Sequence, residues 1–178
     1  TEKLGKIEGF TSEEAGTLYK KLALGALKYY LLRVDPKKRM LFNPEESIDF
    51  QGNTGVYIQY NFAKINAIIR KAQQDGINFT GTDYSGLEQL ADTETAVIEQ
   101  LAEYPGKVTE AAENYAPSII CNYAYDLSKT YSRFYADLPI FAEPDPVRVA
   151  FRVLLSAETA RVLEKAMNLL GVEMPERM

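Results

Sequence analysis

The chain has 178 residues, 46% of them hydrophobic, with a formal net charge of -5, a single cysteine and no histidine. That length fills one sizeable core rather than two ordinary domains, and a lone Cys121 excludes an internal disulfide and a cysteine-rich metal site. Without histidine there is no Ser-His or Cys-His nucleophile pair, no His-ligated zinc and no Glu-x-x-His di-iron bundle.

No stretch approaches the roughly 18 to 20 apolar residues of a membrane span, and Thr1 to Gly9 carry no hydrophobic signal segment. A soluble cytoplasmic protein with no membrane partner is expected. The first residue is Thr1 rather than methionine, and periodic sequence begins only near Thr11, as expected of an excised domain or a processed chain. Charge is unevenly spread. Residues 1 to 75 hold 12 Lys/Arg against 9 Asp/Glu, a net of +3, whereas residues 76 to 178 hold 8 against 16, a net of -8. The basic half is where a polyanion could lie. Asp83 to Glu113, with eight acidic residues and only Lys107, reads as a solvated face turned away from it.

Thr11-Ser12-Glu13-Glu14 forms a capping box ahead of a helical run ending near Leu32. Arg33 to Arg39 is a basic connector broken by Asp35-Pro36. Asn43-Pro44-Glu45-Glu46 then supplies an N-cap, a proline at the first helical position and an acidic first turn for a short helix, which accounts for Glu45-Glu46 without a catalytic role. From about Thr54 to Gln74, Ile58, Phe62, Ile65 and Ile69 follow the i, i+4, i+7, i+11 pattern of a helix with one buried stripe. At about 100° per residue, Tyr57, Tyr60 and Lys64 cluster on roughly the opposite side. Two tyrosines and a cation suit unstacked RNA bases and their phosphates; the same spacing also serves to pack the tyrosines against a neighbouring helix.

Residues 75 to 86, with Gly76, Gly81 and Gly86, are the most loop-like stretch and the candidate for disorder or an insertion. A helix is predicted from about Leu87 or Thr93 to Glu103, broken by Pro105-Gly106 ahead of a second short helix to about Asn114. After Pro117, the residues Ile120, Ala124, Leu127, Tyr131 and Phe134 give a long amphipathic helix stopped near Pro139. Asp145-Pro146 starts a helix of over twenty residues closed by Gly171. No run alternates long enough to be a strand, so the fold class is all-α, a bundle of about six or seven helices.

Three stretches resemble the arginyl-tRNA synthetase family. Residues 50 to 70, FQGNTGVYIQYNFAKINAIIR, are similar to the family segment GNTGPYxQYxHARxxSIxR that opens its anticodon-binding domain. Residues 122 to 135, NYAYDLSKTYSRFY, resemble its NYLYDLAxxFNxFY helix. Residues 169 to 178, LLGVEMPERM, look like its C-terminal signature, in which the final methionine is the chain end; Gly25 to Leu32 also match the segment after its KMSKS-like loop. Val56, Phe62 and Lys64 stand where the family has proline, histidine and arginine. The resemblance covers nearly the whole chain and implies a C-terminal DALR-type anticodon-binding domain, with residues 1-50 a helical connector and 51-178 the bundle, folded as one unit.

The resemblance further implies that Tyr57, Tyr60, Tyr131, Tyr135 and Met178 form a pocket for anticodon bases, with Lys64 supplying charge. Tyr131 falls within the apolar stripe of its helix and Tyr135 on its flank, so a buried aromatic is the competing reading for both. Gln59, Asn122, Arg133 and Arg177 are secondary tRNA-binding candidates together with Arg161, each equally a helix-surface or inter-helix group. Arg33, Lys37, Lys38 and Arg39 make a solvated connector or reach tRNA backbone. Neither the HIGH signature nor the KMSKS-like loop is present, so no catalysis, metal or cofactor is expected of this stretch; a parent arginine-tRNA ligase would use ATP and magnesium. The expected partners are arginine-accepting tRNA and the catalytic domain of the same polypeptide, in a monomer. The rival reading is a helical protein-docking module using the same tyrosines, and a third, a small-molecule enzyme, lacks any convergent acid-base cluster.

Overall fold

The computed structural model describes residues 10–178, where the chain forms α1 (Ser12–Leu32), α2 (Pro44–Ser47), α3 (Gly55–Gln74), α4 (Asp92–Glu113), α5 (Pro117–Asp137) and α6 (Pro146–Leu169), with no strand among the described residues. The fold class is the expected all-α bundle. The expectation for Thr1 to Gly9 lies outside the described residues.

Local chemistry sets the helix ends. The Glu14 carboxylate accepts the Thr11 N–H at 2.7 Å while the Glu14 N–H reaches Thr11 Oγ1 at 3.3 Å, completing the capping box of α1. Asn43, Thr54 and Asp145 cap α2, α3 and α6 through their side-chain oxygens. At the far end of α6, Gly171 takes φ +67 and the Val172 N–H bonds back to the Met167 carbonyl at 3.0 Å, a Schellman closure that turns the chain back along the bundle.

One sequence expectation fails. Pro105-Gly106 does not divide a helix from a shorter one: α4 runs unbroken through both. Val97, Leu101, Tyr104, Val108 and Ala111 keep helical spacing across the proline and pack on the core. Pro105 and Gly106 lie on the exposed side, where water can satisfy the carbonyl that proline cannot serve. Burying that stripe outweighs one missing hydrogen bond, since each large apolar side chain contributes about 1.5–3 kcal/mol. The expected loose segment at 75–86 is irregular but tied down. Ile77 and Phe79 pack against the core, and the Tyr84 hydroxyl donates to the Phe79 carbonyl at 2.5 Å.

Three of the other long helices, α1, α5 and α6, contact α3; α4 packs on α5 and α6. The Gly-Asn-Thr-Gly run that opens α3 makes a close crossing with α1. Asn53 Oδ1 accepts the Tyr29 hydroxyl at 2.6 Å, Thr54 caps the helix, and a Cβ on Gly55 would sit 2.9 Å from the Gly25 carbonyl oxygen of α1. After Gly171 the chain lies between α1 and α3. Lys28 Nζ donates to the Gly171 carbonyl, Gln59 Nε2 to that of Glu173 at 2.8 Å, and Arg70 Nη1 to that of Glu176 at 3.1 Å. Val172 and Met174 complete the core there. On the opposite flank Arg152 of α6 is enclosed with two carboxylates, its Nε 2.8 Å from Glu94 of α4 and its Nη1 2.9 Å from Glu143.

Candidate nucleic-acid interface

The outward face expected of α3 is instead a seam. Because α3 meets helices on several sides, Tyr57 and Lys64 point towards α5 and are half-buried. The Tyr57 ring lies 5.6 Å from that of Tyr125, and its hydroxyl is 3.3 Å from Ser132 Oγ. Ser132 Oγ in turn lies 3.0 Å from Asn61 Oδ1 and 2.8 Å from the Ser128 carbonyl. Both are acceptors and a serine has one proton to give, so Tyr57 is the donor to Ser132. Two turns beyond Tyr57, Lys64 Nζ stands 4.0 Å from the centroid of the half-buried Tyr135 ring, a cation–π contact. Burial lowers the Lys64 pKa below that of an ordinary lysine.

Tyr60 is the exposed member, 47% accessible, its ring edge-on to Phe50 at 6.0 Å. About half of its surface is open to solvent, on the same helix as Tyr57 and Lys64.

Tyr131 does not join this surface. It is 0% exposed, packed on Phe134 with rings 5.5 Å apart, and its hydroxyl donates to Ser156 Oγ at 2.9 Å. Its place in the apolar stripe of α5 accounts for the burial, which also raises its pKa. Gln59, a secondary candidate, is also 0% exposed. Its amide is spent on the Glu173 carbonyl, and its Oε1 is buried without a hydrogen-bond partner. Met178 is half-buried at the end of the terminal segment, and among the described residues no hydrogen bond or ring contact joins it to Tyr57, Tyr60 or Lys64.

The remaining candidates are dispersed. Asn122 and Arg133 are exposed on α5, Arg133 pairing with Asp137 at 3.6 Å. Arg177 lies over the Phe10 ring at 4.7 Å, and Arg161 pairs with Glu158 on α6. Of the basic connector, Arg33 is committed to Glu46 and to the Asn53 carbonyl, while Lys37, Lys38 and Arg39 are exposed. Tyr125 and Lys129 of α5 were not singled out from sequence, although both border the seam. Their i, i+4 spacing on the polar flank of the Cys121, Ala124, Leu127, Ser128 stripe was the available signal.

The all-α bundle thus sets two lysines over tyrosine rings along one helix seam, Lys64 over Tyr135 and Lys129 beside Tyr125. A profile of the family described as DALR anticodon binding domain matches residues 58–178. Across its whole length the chain is 46% identical to arginine–tRNA ligase of Bacteroides thetaiotaomicron and 49% identical to that of Amoebophilus asiaticus, covering 30% of each. The fold superposes on Thermus thermophilus arginyl-tRNA synthetase with a TM-score of 0.83 at 28% identity, over 97% of this chain and 29% of that one. On these matches the chain belongs to the DALR anticodon-binding domain family. It spans about 30% of the length of the curated relatives it matches.

Proposed function

We propose that the chain is the part of an arginine–tRNA ligase that recognises the anticodon stem-loop of an arginine-accepting tRNA. The observation that carries this reading is Tyr60, an exposed aromatic beside a seam in which Lys64 is held over Tyr135. A splayed anticodon base stacks on Tyr60, and Lys64 meets the adjacent phosphate. Tyr57 positions the seam through Ser132, Tyr135 holds the lysine, and Met178 closes the end beyond Arg70. Residues 1–50 serve as the connector and 51–178 as the recognition bundle. Arginine activation with ATP and magnesium belongs to the rest of the polypeptide.

Titration of the 178-residue chain with an anticodon stem-loop, and with one whose central anticodon base is changed, tests this. Tyr60→Ala is expected to weaken cognate binding about 5- to 150-fold, the equivalent of one stacked base at roughly 1–3 kcal/mol. A base-dependent affinity left intact by Tyr60→Ala eliminates the pocket.

A second reading applies to α1, where Leu24, Leu27 and Leu31 are 45%, 40% and 47% exposed at i, i+3, i+7 spacing. Such a stripe suits docking against another polypeptide or the remainder of a longer chain. Leu27→Glu should then leave stem-loop affinity unchanged.

A further inference from the structure

A groove of about 460 Å³ lies between the start of α4 and the outer side of α5, lined by Asp92, Thr93, Ala96, Lys129, Thr130 and Arg133; its α4 wall belongs to the acidic 83–113 stretch expected to face away from a polyanion, but the two cations of α5 face it there. Lys129 belongs both to this groove and to the tyrosine seam, because its Nζ stands 5.9 Å from the centroid of Tyr125, whose ring meets Tyr57. The groove therefore adjoins the seam at Tyr125 and Tyr57. Arg133 is 80% exposed at its side chain, and its 3.6 Å contact with Asp137 is a loose surface pair of the kind that contributes little.

We infer that this α4–α5 groove is a backbone site. In it Lys129 and Arg133, with the hydroxyls of Thr93 and Thr130, take phosphates of the RNA whose base stacks on Tyr60 beside the seam. The inference rests on the stem-loop reading above and assigns the groove a distinct task. No aromatic ring lines it, so it has nothing on which to stack a base. The exposed Asp92 carboxylate opposes one of the two cations, which leaves one positive charge in excess among the lining residues; cations and hydroxyls are the usual partners of phosphate oxygens, which position RNA without reading its sequence.

The test compares Lys129→Ala/Arg133→Ala with Tyr60→Ala, each titrated with the cognate and the base-changed stem-loop from 50 to 300 mM salt. Both α5 residues are exposed, and a circular-dichroism melt matching the parent establishes the fold. Losing one or two phosphate contacts lowers the slope of log affinity against log salt by about 0.7–1.5, roughly a five- to thirty-fold loss near 0.1 M. That loss should be equal for the two RNAs, whereas Tyr60→Ala should erase the difference between them. An unchanged slope in the double variant, with Tyr60→Ala still impaired, overturns the groove and leaves the seam standing. A loss confined to the cognate RNA shows base reading rather than phosphate contact and overturns it too. If the parent chain binds neither RNA, the recognition reading and the groove fall together.

Discussion

Adding one methyl group at Gly55 tests whether the α1–α3 crossing is as tight as it looks. A Cβ there would lie 2.9 Å from the Gly25 carbonyl oxygen and 2.9 Å from Tyr29 Cβ, against 3.4–4 Å for ordinary contact. Neither neighbour can rotate away, since one is backbone and the other the root of a side chain held at its hydroxyl by Asn53 and the Cys121 carbonyl. The helices must part by about half an ångström, the distance by which the methyl falls short of contact. Overpacking of this kind costs about 1–3 kcal/mol. For a chain this long it would lower Tm by about 2–12 °C. Gly16 on the same α1 is the control: its added Cβ meets nothing within 4 Å, so Gly16→Ala should stabilise by about 0.5–1 kcal/mol through helix propensity alone. Thermal and urea melts of the two variants side by side give both signs. If Gly55→Ala melts at or above the parent, the crossing does not depend on that glycine.

Arg152→Met leaves Glu94, wholly buried, facing no cation, and should cost about 3–5 kcal/mol in urea unfolding; Arg152→Met with Glu94→Leu, which removes that buried charge as well, should recover part of it. On the proposed reading, Lys64 sets a pH limit on RNA binding. Its pKa is lowered by burial, so the cation is lost at lower pH than from a free lysine, and stem-loop affinity should fall as pH rises through that depressed value. Lys64→Arg, which keeps its charge, should flatten the decline in titrations between pH 7 and 10.

Three helix starts were readable because each is decided within four residues: Thr11, Asn43 and Asp145 all cap where their neighbours predict. The start of α4, left open between Leu87 and Thr93, falls at Asp92 behind Ala91, which has no side-chain oxygen to mark it. The Pro105 error has the opposite origin. Proline was weighed against a local hydrogen bond, whereas the outcome was set by five stripe residues meeting α5 and α6. At the interface, the periodicity of α5 correctly placed Tyr131 in the apolar stripe, and its full burial follows from that rather than from the family likeness. Nothing local marks Gln59 as buried, because what covers it is a segment more than a hundred residues later. Tyr57 was grouped rightly with Lys64 on one side of α3. That this side meets α5 depends on the packing of the whole bundle, which one helix's wheel does not contain.

The segment after Gly171 is wedged between α1 and α3, and its bond to Lys28 joins residues 143 apart. During synthesis, α1 and α3 reach solvent long before Val172 and Met174 exist to fill the space between them. That part of the core must wait, its apolar lining open to other chains, until the final stretch of these 178 residues arrives. Folding there is governed by a long-range contact, which is slow to form, so a ribosome-stalled chain lacking residues 172–178 should expose the α1–α3 cleft to chaperones.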